Sequence, residues 1–267
     1  SDMSSWLLMG LPGVAYLSGV ADAGWTAIGL AVGTYINWLI VARRIRHYSS
    51  LTNSITLPDF FSKRFHDKKN LLCGISALVI LIFFIPYTAS GFAACGKLFS
   101  TLFGVDYMTA MLVSAAVIVL YCVMGGFLAA STTDFLQSII MSIALVVILV
   151  FGVNVAGGMD AVMDNARSLA GYLSLANVHD AATGTAQPYG VLNACSMLAW
   201  GLGYFGMPHI LLRFMAIEDA NKLKTARRVG SIWVVISMAV AVFIGIVGHA
   251  ATKAGAVAVL EGSASAS

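Results

Sequence analysis

The chain contains seven long stretches without a single Asp, Glu, Lys or Arg. They cover residues 3–21, 23–42, 71–96, 107–133, 135–159, 181–212 and 229–252. A membrane-spanning helix needs about 20 mostly apolar residues, and only the first of these stretches falls barely short of that length. The short alternating segments of a transmembrane β-barrel are absent, and backbone polar groups in lipid must be satisfied within each segment. The sequence therefore predicts an all-α polytopic membrane protein with about seven transmembrane helices.

Composition excludes the main alternative classes. Hydrophobic residues make up 59% of the chain and charged residues 10%, with a mean hydropathy of +0.88. Soluble domains are about half apolar and a quarter charged, so a soluble, disordered or nucleic-acid-binding protein is excluded. We predict a transmembrane helical domain over residues 1–252. Residues 253–267, which are mostly small, are predicted to form a tail or loop.

Basic residues predict the orientation in the membrane. Twelve of the fifteen Lys and Arg residues lie in two segments, residues 43–70 and 213–228. Both segments follow even-numbered apolar stretches, so seven spans place them on the same side. Because short cytoplasmic loops carry an excess of Lys and Arg, we predict that both are cytoplasmic loops of a multi-pass inner-membrane protein.

Two of the apolar stretches contain residues that interrupt helices. The sixth has three glycines and a proline within Trp200–Pro208, and the first has Gly, Pro and Gly within Met9–Gly13. In a helix interior Gly costs about 1 kcal/mol and Pro about 3 kcal/mol relative to Ala. These stretches are five apart, as are the broken helices of transporters built from inverted repeats. Harmless kinks are the alternative, but the shared position favours a binding site between two broken helices.

Asp2 lies among serines just before the first interruption. An ionised carboxylate at membrane depth is costly unless it is paired or faces a wet cavity. Sodium is a hard ion that prefers carbonyl, hydroxyl and carboxylate oxygens, which an unwound serine-rich segment offers. We interpret Asp2 as a sodium ligand, with helix capping near the surface as the alternative.

Aromatic residues flank both interruptions and suit a small solute. Trp6, Trp200 and Tyr204 offer flat apolar surfaces with one polar group each, although helix packing explains any one of them taken singly. Tyr87, beside Pro86, is as compatible with a core position as with a pocket. Asp134 is interpreted as a helix N-cap or as a site for a second ion or a proton relay.

Enzymatic chemistry has no support in the motifs. No nucleotide-binding loop, nucleophile elbow or metalloprotease pattern occurs, and no nucleophile and base stand at usable spacing. The sequence therefore predicts a protein that is not an enzyme.

Several segments resemble one known family. They are SDMSSW, MGLPG, LPDFFSKRF, SALVILIFFIPYTASG, GGFLAASTTDFLQ and WGLGYFGMPHILLRFMA. Together they are similar, in order and over nearly the whole chain, to the solute:sodium symporter family, most of all to its proline carriers. The resemblance implies a LeuT-type inverted-repeat helical bundle and sodium-coupled symport of L-proline by alternating access.

The resemblance also implies roles for individual residues. Sodium would be held by Asp2 and the carbonyl of Met3, and Asp134 would match a carboxylate that some relatives use for a further ion. Ser4 would lie next to ion and substrate. The proline pocket would be lined by Trp6, Gly10, Tyr87, Trp200, Tyr204 and Pro208.

Two departures leave the substrate open. Ser5 and Met207 stand where the resemblance implies Gly and Gln, so another small solute is the first alternative to proline. A symporter-like sensory membrane module is the second. The family's sodium site is completed by hydroxyls of a later helix, so the piece is expected to be partial and not to transport by itself.

Overall fold

The computed structural model describes residues 6–258, without the side chain of Leu8, and the chain there is mainly helical. The α-helices are α1 (Leu11–Ser18), α2 (Val20–Ile36), α3 (Ala42–Thr52), α4 (Leu57–Arg64), α5 (Leu71–Phe103), α6 (Tyr107–Val155), α7 (Met159–Ser168), α8 (Val191–Leu198), α9 (Trp200–Gly203), α10 (Pro208–Ala216) and α11 (Leu223–Lys253). Short π-helices cover Trp6–Gly10 and Asn37–Val41, and a 3-10 turn covers Ala220–Lys222. A hairpin of β1 (Asn177–Asp180) and β2 (Thr185–Pro188) pairs antiparallel, with Asn177 opposite Pro188.

Four helical segments of the described chain are long and apolar enough to cross a membrane. They are Val20–Thr52, Leu71–Phe103, Tyr107–Val155 and Ala220–Lys253. A fifth span results if α8 and α9 are counted together with α10, to which they are joined at a bend of 43°. The expected helical polytopic architecture is confirmed, and its helix order is consistent with a LeuT-type bundle.

Length and composition alone give at most five spans in the described chain, fewer than the seven apolar stretches. The fourth and fifth stretches are joined in α6, which comprises two helices that meet at a kink at Gly126, where the dihedral angles are non-helical (φ 55°, ψ −143°). A positive φ is easily adopted by glycine, so the chain can bend sharply there. The first stretch contributes only the π-helix Trp6–Gly10 and the eight-residue α1 within the described residues.

The described chain divides into two compact units. One unit contains Thr56–Met141, and the other combines Trp6–Ile55 with the described residues from Ser142 onward. The boundary of the helical domain at residue 252 stays a prediction; α11 ends next to it, at Lys253.

The first unit contains α4, α5 and the beginning of α6. Helix α4 begins after Thr56, whose Oγ1 accepts a hydrogen bond from the backbone N–H of Asp59 at 3.3 Å. Helix α5 ends at Gly104, which adopts a left-handed conformation (φ 65°) suited to a helix C-terminus. Asp106 then accepts hydrogen bonds from the N–H and hydroxyl of Thr109, and these bonds lower the pKa of its carboxyl.

The second unit is built around α11, which packs against α1, α2 and α7. At its core lies the fully buried Tyr172, from the loop after α7. Its hydroxyl donates to the carbonyl of Tyr16 at 2.9 Å, and its carbonyl accepts from the N–H of Val20 at 2.8 Å. Two further bonds tie the same loop region to α2: Trp25 Nε1 donates to the carbonyl of Leu175 at 2.9 Å, and the hydroxyl of Tyr189 donates to Asp22.

Candidate solute site at a broken helix

The sixth apolar stretch is interrupted where its glycines and proline predict. Helix α9 ends at Gly203, and α10 begins at Pro208. Proline suits the first turn of a helix because its missing N–H would have no intrahelical acceptor there. The turn Tyr204–Met207 therefore separates two helical pieces inclined by 43°.

The first apolar stretch differs from the expectation. The chain is helical from Trp6 to Ser18, as a π-helical turn that continues into α1, and Gly10 has ordinary helical dihedral angles (φ −68°, ψ −41°). The predicted interruption within Met9–Gly13 is therefore wrong. Pro12 lies where the π-helical turn passes into α1. Single π-turns are rare and occur frequently at functional sites.

The predicted sodium ligands Asp2 and Met3, together with Ser4, lie outside the described residues. Their assignment stays a prediction.

Trp6 and Trp200 stack face to face, and Trp200 is the first residue of α9, the short helix before the break. Their ring centroids are 4.4 Å apart and the planes are inclined by 22°. Gly10 lies directly beneath the Trp6 ring, since a Cβ at Gly10 would lie 2.9 Å from Trp6 Cδ1. The two indoles are 38% and 45% exposed, so the stacked pair retains open aromatic surface. The structure thus brings together three of the residues predicted to line a solute pocket.

Helix α2 crosses α8 and α9 at backbone distance. Gly29 and Gly33, spaced as a GxxxG motif, face Leu198 and Gly201. A Cβ at Gly29 would lie 2.6 Å from the carbonyl oxygen of Leu198, and one at Gly201 would overlap the carbonyl oxygen of Gly29. Small residues allow such close approach between membrane helices. This crossing fixes the position of the residues that precede the break.

Asn37, at the end of α2, contacts the break itself. Its side chain is buried, with 1% exposed, and its Nδ2 donates to the carbonyl oxygen of Tyr204 at 2.8 Å. Tyr204 is also buried and is the first residue after α9. The sequence reasoning missed Asn37, although it is the lone Asn in the charge-free stretch 23–42.

Pro208, a further residue of the predicted pocket, begins α10 and is half-buried. Tyr87 lies in the other compact unit, on α5, and its ring contacts that of Phe84 at a centroid distance of 5.4 Å. Their roles as pocket residues stay predictions.

Asp134 lies inside α6, so its interpretation as a helix N-cap is wrong. The preceding hydroxyls bond within the same helix: Thr132 donates to the carbonyl of Leu128 at 2.9 Å, and Thr133 donates to that of Ala129 at 2.9 Å. Residues 6–258 contain no group of three or more His, Cys, Asp or Glu side chains that could hold a metal. A role of Asp134 toward a second ion stays a prediction.

Parts of the two basic segments contact each other within the second unit, whereas their cytoplasmic side stays a prediction. Arg46 Nη2 donates to the carbonyl oxygen of Glu218 at 3.2 Å, and the guanidinium of Arg227 lies 5.5 Å from the centroid of the Tyr35 ring. Much of both segments is helical rather than loop, because α3 continues the span from Val20 to Thr52 and α11 begins at Leu223. Within the second unit, basic side chains of both segments therefore lie near helix ends that contact each other.

Helices of spanning length, one of them broken beside a close helix crossing, define a polytopic α-helical membrane protein. The same elements recur in secondary transporters, where broken helices hold solute and ion. The chain belongs to the sodium:solute symporter family, whose family model matches residues 1–265. It is thus a multi-pass protein of the cell membrane.

Individual relatives are similar over nearly all of the chain. It is 43% identical over 251 residues to the osmoregulated proline transporter OpuE of Bacillus subtilis (strain 168), covering 94% of this chain and 49% of that protein. It is 43% identical to sodium/proline symporter 2 of Staphylococcus saprophyticus and 42% identical to the sodium/proline symporter of Staphylococcus aureus (strain USA300), covering 94% of this chain and 47% of each. The chain therefore spans about half the length of these relatives. No solved structure matches it significantly.

Proposed function

We propose that the protein carrying this chain is a sodium-coupled symporter that accumulates L-proline across the cell membrane by alternating access. The solute crosses chemically unchanged, so the protein is a carrier and not an enzyme. The observation that carries the proposal is the stacked pair Trp6 and Trp200 beside the broken helix, in a chain related to named sodium/proline symporters.

The geometry suits a small solute with an apolar ring and charged ends. The open faces of Trp6 and Trp200 can cover the aliphatic ring of proline. The unwound turn Tyr204–Met207 offers backbone groups that can bind its ammonium or carboxylate. The π-turn Trp6–Gly10 brings the start of the described chain to the same place.

Sodium is proposed to bind at Asp2 and the carbonyl of Met3. Coupling follows if the bound ion orders the same segment that carries Trp6, because each ligand then raises the affinity for the other by the same factor. One sodium ion moving down 100 mV supplies about 2.3 kcal/mol, enough for about fifty-fold accumulation before any concentration term.

Uptake of radiolabelled proline into proteoliposomes tests the proposal. An inward sodium gradient should drive accumulation, whereas an equal potassium gradient should not. Asp2→Asn should raise the sodium concentration needed for half-maximal uptake at least tenfold. Asp160→Asn serves as the matched control, because Asp160 lies in the first turn of α7, away from the break. Equal uptake in sodium and potassium would refute the proposal.

Selectivity for the substrate is proposed to depend on residues at the same break. Met207, where the family resemblance implies Gln, is the residue immediately before α10 and is half-buried. Another small solute is therefore the second candidate. Competition of unlabelled amino acids, sugars and carboxylates against labelled proline separates the two, since a better competitor than proline would identify a different substrate.

A further inference from the structure

We infer that Asn37 is a positioning residue for the proposed solute site. Its carboxamide holds the unwound turn of the broken helix at Tyr204, and it thereby sets the position of Trp200 against Trp6. The inference rests on the proposed function for the identity of the solute. The contact itself is independent of that identity.

The contact between Asn37 and Tyr204 is direct and shielded from solvent. The distance from Asn37 Nδ2 to the carbonyl oxygen of Tyr204 is 2.8 Å, and both residues are buried. A carbonyl oxygen only accepts, so this contact fixes which end of the carboxamide faces the break. Tyr204 follows α9 immediately, where the helical hydrogen-bonding ladder stops. Asn37 thus donates to the backbone at the point where the helix unwinds.

The carboxamide oxygen of Asn37 indicates which contact the amide provides. Asn37 Oδ1 is buried and has no hydrogen-bond partner among the described residues. An unsatisfied buried oxygen is unfavourable, and an aliphatic side chain of similar volume would avoid it. The donor contact to Tyr204 is therefore the feature that the amide provides and an aliphatic residue would lack.

The part of α2 that precedes Asn37 packs directly against the backbone of the broken helix. One to two turns earlier on the same helix, Gly29 and Gly33 lie at backbone distance from Leu198 and Gly201. Backbone-to-backbone contact leaves no flexible side chain to absorb a shift. Asn37 adds a contact between α2 and the turn that follows α9, at Tyr204.

Trp200 lies between two residues that α2 contacts. Leu198, before it, packs against Gly29 at backbone distance, and Tyr204, after it, accepts the hydrogen bond from Asn37. Trp200 in turn stacks on Trp6 at 4.4 Å. Loss of the Asn37 contact should therefore loosen the turn and move the aromatic surface that meets the solute.

Thr34 provides a matched control for a merely structural role. It lies one turn before Asn37 on α2, is 2% exposed, and its Oγ1 has no hydrogen-bond partner among the described residues. Thr34→Val removes a buried polar atom of the same helix without touching the hydrogen bond at the break. Asn37→Leu removes the donor at nearly constant volume, and Asn37→Asp keeps the shape but replaces the donor by an acceptor.

The test combines amide hydrogen exchange with proline uptake, both on the protein that carries this chain in a membrane mimetic. Asn37→Leu should speed exchange of the amides of 203–207 about tenfold and raise the proline concentration for half-maximal uptake about tenfold. A tenfold change corresponds to about 1.4 kcal/mol, which is within the range that one buried hydrogen bond supplies. The maximal rate per folded molecule should stay within about twofold, because Asn37 acts on the position of the site. Thr34→Val should leave both readouts unchanged. Asn37→Asp, measured in the same way, replaces Asn37→Leu if that variant does not fold.

The outcomes separate this inference from the proposed function. Equal effects of the Asn37 and Thr34 variants would overturn the inference, as would faster exchange without any change in half-maximal uptake. Absence of sodium-driven proline uptake by the unmodified protein would refute the proposed function instead. Faster exchange at 203–207 in Asn37→Leu alone would then still support the positioning of the break by Asn37, and unchanged exchange would overturn it.

Discussion

Trp6 and Trp200, far apart in the sequence, stack with their ring centroids 4.4 Å apart. The contact joins the π-turn at the beginning of the described chain to the helix that breaks at Tyr204. Gly10 makes room for it, since any side chain there would meet the Trp6 ring. A displacement of either segment therefore moves a ring that the other segment contacts.

The stacked pair should show energetic coupling. Trp6→Leu and Trp200→Leu should each weaken proline binding, and the double variant should lose less than the sum, by about 0.5–1.5 kcal/mol, because either substitution already destroys the stack. Equilibrium binding of labelled proline measures the cycle. The pair Trp6 and Trp38 is the control, since Trp38 packs edge-on against Phe214 instead. Additive losses for Trp6 and Trp200 would contradict the coupling.

The crossing of α2 over α9 should tolerate no side chain at Gly201. In Gly201→Ala the new Cβ would overlap the carbonyl oxygen of Gly29, and relief requires backbone movement. Overpacking of this kind costs about 1–3 kcal/mol or more, so the melting temperature should fall by about 5 °C or more.

Gly203→Ala is the counterpart on the same short helix. No atom lies within 4 Å of a Cβ built at Gly203, so this variant should melt within about 2 °C of the unmodified protein. Thermal unfolding in detergent, followed by tryptophan fluorescence, compares the two. Similar melting temperatures for both variants would show that the close approach is absent.

The hydrogen bond from Tyr189 to Asp22 should make the loop region between α7 and α8 sensitive to alkaline pH. Burial, then this hydrogen bond and the negative charge of Asp22, raise the pKa of the Tyr189 phenol. A group whose pKa is raised by folding contributes stability that is fully present below its unfolded pKa, about 10, and lost as the pH rises toward its folded pKa. Attachment of the loop should therefore weaken above about pH 10.

Tyrosinate absorbance measures this titration as the difference between the unmodified protein and Tyr189→Phe. Asp22→Asn should lower the pKa of Tyr189, because it removes the carboxylate charge. Asp160→Asn, on α7, should leave that titration unchanged. An ordinary pKa for Tyr189 in the unmodified protein would contradict the bond.

The basic helix ends should face the cytoplasm. In a background without the native cysteines, Arg44→Cys and Lys224→Cys should react with a membrane-impermeant thiol reagent in inside-out vesicles and be protected in right-side-out vesicles. Thr183→Cys, in the turn between the two hairpin strands, should show the reverse pattern. Labelling of Arg44→Cys and Lys224→Cys from opposite sides would contradict the shared face that the bond from Arg46 to Glu218 indicates.

Much of the architecture could be predicted because it depends on local composition. Charge-free stretches indicated the helices of spanning length, and the glycines and proline of Trp200–Pro208 located the broken helix. The same logic failed at Met9–Gly13, where the chain stays helical by passing from a π-turn into α1. It also failed at Asp134, because the second helix of α6 begins after the kink at Gly126, before Asp134 is reached.

The sequence by itself determined which segments are apolar enough to lie in lipid and where one helix cannot remain continuous, and it predicts the side on which the basic residues lie. These properties depend on residues close together in the chain and on transfer into a membrane. Only the tertiary structure decided that Asn37 reaches the carbonyl of Tyr204 and that Trp6 lies on Trp200. Such contacts depend on how closely helices cross at glycines, because interiors are densely packed and small differences in distance decide which residues meet. No local sequence pattern contains this information.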